Sequence, residues 1–183
     1  MELSRKKLKI IILSGKARSG KDEVANVIED YYQDKKVKKL SYAYYLKQYV
    51  KSITDWNGNE EDKPRDILQF IGIELIKEKI NAKLLINRVL EDIAIYSYFY
   101  DIIVITDARL IDEIEDIKEN YPKAISIRIN RKFDNHLTID QKKHVTEIGL
   151  DDYPNFDYII DNNADYNQLK ENVVKILEEL ENE

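Results

Sequence analysis

The stretch KLKIIILSGKARSGKD, Lys7 to Asp22, decides the fold. Lys7 to Ser14 is a short β-branched apolar run, bounded by charge on one side and glycine on the other. It reads as a parallel strand buried on both faces. Gly15-Lys16-Ala17-Arg18-Ser19-Gly20-Lys21 then fits the spacing G-x4-G-K. From Lys21 to Tyr32, the residues Val24, Val27, Ile28 and Tyr31 recur at helical spacing. Strand, glycine loop and helix in that order make a phosphate cradle. Loop N–H groups point inward, the helix N-terminus adds partial positive charge, and Lys21 reaches β- and γ-phosphates. In a chain with five Gly and 22 Lys among 183 residues, chance supplies the three fixed positions about 0.02 times.

Outward from this unit, strands and helices alternate. Val37 to Ser41, Ile102 to Thr106, Ala124 to Ile129 and Tyr158 to Ile160 read as four further strands. A helix is expected from Tyr42 to Ser52. A second follows Pro64, with Asp62 near its N-cap, and runs to Ile80 with Ile67, Leu68, Ile71, Leu75, Ile76 and Ile80 inward. Others cover Leu84 to Ile93, Leu110 to Glu119 and Tyr166 to Leu180. The pattern predicts a single α/β domain over 1–183, a three-layer sandwich around a five-stranded, mostly parallel sheet. Residues of about 54–98 form its acceptor-binding helical segment. Residues of about 130–149, polar and poorly periodic, form a lid-like segment.

Composition narrows the chemistry. No cysteine is present and only two histidines, His136 and His144, which excludes a disulfide framework, a Cys-based zinc site and a thiol nucleophile. The net charge of −6 argues against a basic surface for nucleic acid. No apolar run approaches the roughly 20 residues of a membrane span, and the basic N-terminus lacks a signal-peptide pattern, so a cytoplasmic monomer or homodimer is expected. Lysines outnumber arginines 22 to seven. Arginine grips phosphate with a rigid fork, so each arginine's position is informative.

The quoted loop continues into Asp22, where many such loops have Ser or Thr. Gly-Lys-Ala-Arg-Ser-Gly-Lys-Asp resembles the P-loop of phage-type deoxynucleoside monophosphate kinases and that of the related animal-type phosphomevalonate kinases. The resemblance extends along the chain. Ser41-Tyr42-Ala43 with Leu46-Lys47 resembles an S-x-A-x-x-L-K segment, and Arg65 with Leu68-Gln69 and Gly72 an R-x-x-L-Q-x-x-G helix. Asp107-Ala108-Arg109 with Glu113 resembles a D-x-R-x-x-x-E signature, and His144, Glu147, Leu150 and Asp151 an H-x-x-E-x-x-L-D stretch. Phe156 to Ile160 and Asn162 are similar to the last strand and its turn. Leu68-Gln69-Phe70 and Arg109-Leu110 stand where the phosphomevalonate branch has Arg-Trp-Gly and paired arginines, which favours the nucleotide branch. Ile73 stands where that branch tends to have Thr. The resemblance implies a P-loop NTPase fold of the nucleoside monophosphate kinase type, with ATP and Mg²⁺.

The residues then take expected roles. Gly15, Lys16, Ala17, Ser19, Gly20, Lys21 and Asp22 bind the ATP phosphates, with Arg18 bridging donor and acceptor. Asp22 either binds Mg²⁺ or holds the loop. Asp107, at a strand end, orients Mg²⁺ or a substrate hydroxyl, or serves as a cap. Arg109 binds phosphate or pairs with Glu113. Arg65 and Gln69 address the acceptor's phosphate and base. Arg131, from the lid, and Arg128 supply further cations, Arg128 being otherwise an exposed strand charge. His144 and Glu147 read as a local structural pair, and the tyrosine clusters 42–49 and 96–100 as core with a polar rim. The expected function is transfer of the γ-phosphoryl group of Mg-ATP to a (deoxy)nucleoside monophosphate. The alternatives are a phosphomevalonate-type kinase and a nucleotide-binding regulatory module.

Overall fold

A computed structural model describes residues 4–132 and 138–182. Its sheet has five strands: β1 (Lys9–Ser14), β2 (Val37–Leu40), β3 (Ile102–Ala108), β4 (Ile125–Asn130) and β5 (Tyr158–Asp161). Their order is β2-β3-β1-β4-β5. All four pairings are parallel, so the expected "mostly parallel" sheet is wholly so. The helices are α1 (Lys21–Tyr31), α2 (Ala43–Ile53), α3 (Arg65–Phe70), α4 (Leu84–Tyr96), α5 (Ile111–Asn120), α6 (Ile139–Lys143), α7 (Val145–Ile148) and α8 (Tyr166–Asn182), with a π-helix over Ile71–Ile80.

Two apolar cores sandwich the sheet, because alternate strand residues face opposite sides. Ile11, Leu13, Val104, Ile127 and Ile129 pack under α1 and α8, against Val24, Ile28, Val173 and Leu177. Ile10, Ile12, Ile103 and Ile105 pack on the other face, against Val89 and Ile93 of α4 and Ile114 and Ile117 of α5. A third, smaller core lies off the sheet. Leu46, Val50, Trp56, Leu68, Ile71 and Ile76 close together there.

That small core corrects the expected helix over 64–80. The segment starts as α3 at Arg65, with Pro64 rather than Asp62 at its boundary. It then widens from Ile71 onward, and the Asn81 N–H closes on the Ile76 carbonyl five residues back. A five-residue repeat places Ile71 and Ile76 inward together. Both are buried, whereas Leu75 and Ile80, inward at a 3.6 period, are 37% and 60% exposed. In α2 likewise, Leu46 and Val50 are buried and Tyr49 is exposed. In α4 the buried residues are Ile86, Val89 and Ile93.

The lid-like segment is more ordered than its polarity suggests. β4 runs on to Asn130, and α6 and α7 cover much of 139–148. Residues 133–137, His136 among them, lie outside the described residues.

Candidate active site

The phosphate loop leaves the C-terminal end of β1, whose neighbours β3 and β4 are reached in opposite directions along the sheet. This is the switch point at which open parallel sheets bind ligands. Gly15 and Gly20 have φ of 156° and 101°, where a side chain is strained. A Cβ on Gly15 would also stand 2.5 Å from the Ile129 carbonyl oxygen, and one on Gly20 2.4 Å from Asn162 Nδ2. Arg18 takes the left-handed conformation without being glycine, φ 60°, a local strain of the kind that collects at functional loops.

Three points of the loop are held from outside. Asn162 Nδ2 donates to the Ser19 carbonyl (2.9 Å). Lys16 Nζ pairs with Asp151 (2.7 Å). The Ala17 N–H donates to Glu147 Oε2 (3.1 Å). Lys21 Nζ turns onto the loop's own carbonyls, Gly15 and Lys16, at 2.8 Å each. Burial, with the Arg109 charge beside it, pulls the Lys21 ammonium down to about 7. The Ser19 hydroxyl is buried and has no hydrogen-bond partner among the described residues. An orphaned hydroxyl, a desolvated ammonium and two glycines with no room for a side chain form a seat for an oxyanion.

β3 supplies Asp107 through an irregularity. Ile12 pairs with Ile105 but Ser14 pairs with Ala108, so β3 carries one extra residue over Thr106 and Asp107. Such a bulge re-aims a side chain. Asp107 accepts from the Ser41 hydroxyl (2.7 Å), the Tyr42 N–H (2.8 Å) and the Ala43 N–H (3.0 Å). Its carboxylate thus ties the sheet to the first turn of α2. Two residues on, the guanidinium of Arg109 pairs with Glu147 rather than with Glu113. Glu113 instead accepts the backbone N–H groups of Arg109 (2.6 Å) and Leu110 (3.1 Å), tying down the start of α5. Burial pushes the Glu113 carboxyl up to about 8; the Arg109 N–H opposes this and the Asp107 charge adds to it.

A cleft of about 700 Å³ runs from the loop into the small off-sheet core, within the size range of small-molecule sites. Arg18, Lys21, Asp22, Arg65, Gln69, Asp107, Arg109 and Arg131 all line it, so the fold gathers most of the expected site residues. Its inner wall is apolar, with Leu46, Leu68, Gly72, Ile73, Ile76 and Leu85. Its mouth is cationic: Lys47, Lys63 and Arg65 surround Glu60, which pairs with Lys63 at 2.7 Å. Burial acts against that carboxylate, but Lys63, Lys47 and Arg65 together hold it below its usual range. Gln69 Nε2 reaches Thr146 Oγ1 across the cleft at 3.5 Å.

Arg128 is placed differently. It is buried, not an exposed strand charge. It donates to Ser14 Oγ (3.1 Å) and Asp151 Oδ1 (3.0 Å), and the lining does not include it. His144 and Glu147 are not a mutual pair. His144 Nδ1 accepts from the Thr146 N–H and caps α7, while Glu147 turns to the loop and Arg109. Glu147 and Asp151 are the residues that sequence reasoning undervalued. Their four-residue spacing is visible in the sequence, but their partners are distant along it: Ala17 and Arg109 for Glu147, Lys16 and Arg128 for Asp151. Of the described tyrosines, only Tyr42 lines the cleft, its hydroxyl donating to the Glu113 carbonyl (2.5 Å).

The residues fit a triphosphate and its metal. Asp22 is exposed at the start of α1 and lines the cleft. Mg²⁺ needs only one or two protein carboxylates when phosphates and water complete its shell, and Asp22 is the carboxylate free of the three donors that engage Asp107.

No protein-family model matches the chain, and no curated protein matches it. Among solved structures, a shikimate kinase from Bacteroides thetaiotaomicron superposes with a TM-score of 0.54 at 14% identity, over 94% of this chain and 98% of that one. A shikimate kinase from Aquifex aeolicus superposes with a TM-score of 0.50 at 14% identity, over 92% and 96%. The chain therefore has the fold of these P-loop kinases over more than nine-tenths of its length.

Proposed function

We propose that the chain is an ATP-dependent kinase that transfers the γ-phosphoryl group to a (deoxy)nucleoside monophosphate. The observation that carries this reading is the single cleft that joins an oxyanion seat to an apolar chamber with a cationic mouth. A phosphorylated acceptor with a flat, weakly polar body suits that shape. The body lies against Leu46, Gly72, Ile73 and Ile76, its phosphate meets Arg65, Lys63 and Lys47, and Gln69 offers an amide to a base edge.

The chain's own residues carry most of the catalysis, which in phosphoryl transfer is positioning and charge neutralisation. The loop N–H groups and Ser19 hold the donor phosphates. Lys21, released from the Gly15 and Lys16 carbonyls, turns to the anion. Arg18, Arg109 and Arg131, which line the cleft, supply cations where charge spreads over the moving group. Mg²⁺, held by Asp22, would supply further neutralisation of the phosphate oxygens.

The test is ADP release from ATP and Mg²⁺ with deoxynucleoside and nucleoside monophosphates, phosphomevalonate and shikimate as separate acceptors. Release confined to nucleotides is expected. Release only with phosphomevalonate or shikimate would replace the acceptor class, and tight ATP binding without turnover on any acceptor would replace the activity.

A further inference from the structure

The segment from His144 to Asp151 grips the phosphate loop with two carboxylates. Glu147 is buried, accepts the Ala17 N–H and pairs with Arg109. Asp151 takes Lys16 on one oxygen and Arg128 on the other. Both are anions placed on groups that a phosphate-binding loop keeps for anions. Lys21 is folded back onto the loop carbonyls, and the Ser19 hydroxyl has no hydrogen-bond partner among the described residues. The loop is thus arranged to receive negative charge, and the Glu147 carboxylate already lies against it. The same segment also spans the cleft to the acceptor wall. Within it Thr146 accepts from Gln69 (3.5 Å), and Gln141 of α6, just before it, donates to Asp66 (2.7 Å).

We infer that Glu147 is an internal stand-in for phosphate, and that with Asp151 it forms a latch which nucleotide phosphates open. In the resting protein the Glu147 carboxylate satisfies the Ala17 N–H and the Arg109 guanidinium. An arriving phosphate competes for the same two donors, and like charges this close repel. The carboxylate leaves, Arg109 transfers its pairing to the phosphate, and the 144–151 segment loosens. Because that segment also touches Gln69 through Thr146, donor binding at one end frees the acceptor wall at the other. A ligand shifts such an equilibrium only through its different affinity for the two states, and here the difference is the contested pair of donors. This inference rests on the reading of the loop as a nucleotide-phosphate site.

Hydrogen–deuterium exchange on the full chain, with and without inorganic pyrophosphate, tests it directly. The expected result is slower exchange over 15–22 together with faster exchange over 144–151. Slower exchange over 15–22 with unchanged or slower exchange over 144–151 overturns the latch and leaves the phosphate site standing. No change in either segment at saturating pyrophosphate overturns both. Titration calorimetry adds a second reading. Glu147→Gln keeps the shape but removes the competing charge, so pyrophosphate should bind about tenfold more tightly, one charge-assisted pairing being worth roughly that factor. Equal or weaker binding by a variant with an unchanged melting profile overturns the latch. Should the variant unfold, the exchange measurement on the unaltered chain decides.

Discussion

Under the proposed function the loop end of the cleft is the donor end and the off-sheet end the acceptor end, and the two are built on different principles. At the donor end, backbone geometry and buried groups set every position: two glycines with positive φ, Lys21 on two carbonyls, Asn162 on Ser19 and Glu147 on Ala17. The acceptor end is long side chains and partly exposed ion pairs around a small core, with Lys63 and Arg65 on Glu60 and Lys77 on Asp112 at 2.6 Å. One end recognises a constant chemical group and tolerates little change. The other addresses whatever distinguishes one acceptor from another, and side chains are the adjustable part of a protein.

Lys21→Met should give the largest effect. Losing one preorganised cation costs about 10²–10³-fold in kcat, and steady-state ADP release measures it. A loss below tenfold would break the contrast, since the donor end would then be no more exacting than the acceptor end. Asp107→Ala comes next, because that carboxylate joins the two ends. Removing an acceptor of three hydrogen bonds should lower stability by about 3 kcal/mol, read from urea denaturation, with α2 the first element to lose exchange protection.

The third effect is a pH dependence of stability carried by two buried groups of opposite sign. The Glu113 carboxyl, raised from 4.5 to about 8, holds its proton in the fold after the unfolded chain has lost it. Its contribution is full below pH 4.5 and lost as pH rises through 8. Lys21, lowered from 10.5 to about 7, does the reverse: its contribution is present above 10.5 and lost as pH falls through 7. Urea denaturation between pH 4 and 10 should show Glu113→Gln removing the falling limb and Lys21→Met the rising one. The smallest effect is expected from Gly72→Ala. A Cβ there would stand 3.1 Å from Leu46 Cδ2, narrowing the apolar chamber, so the acceptor KM should rise a few-fold while the KM for ATP stays unchanged. An equal change in both would blur the division between the ends.

What could be read from the sequence follows the same division. The donor end was legible because its chemistry is local: Gly15, Gly20 and Lys21 sit within seven residues, bracketed by a strand and a helix whose apolar periods differ. All five strands were legible too, being short β-branched runs. The acceptor wall was not. Ile71, Leu75, Ile76 and Ile80 fit a 3.6-residue period as sequence, and only packing against Leu46 and Leu68 selects the wider turn that buries two of them. Arg128 and Glu147 were misjudged for a related reason. A charged residue in an alternating strand reads as exposed and one near a histidine as part of a local pair, and their actual partners, such as Ser14, Asp151 and Ala17, are brought near by the fold.

The π-helix of Ile71–Ile80 has one further consequence. A turn closed over five residues contains one more residue than an α-turn needs, so the segment can lose a residue and remain a helix, reverting to the tighter bonding. Such a deletion would rotate the side chains beyond it around the axis and bring a different set against Leu46 and Leu85, while β1, the phosphate loop and the sheet register stay as they are. The acceptor chamber can therefore be re-cut by chain length as well as by substitution, a means of adjustment the rigid loop at the other end does not share.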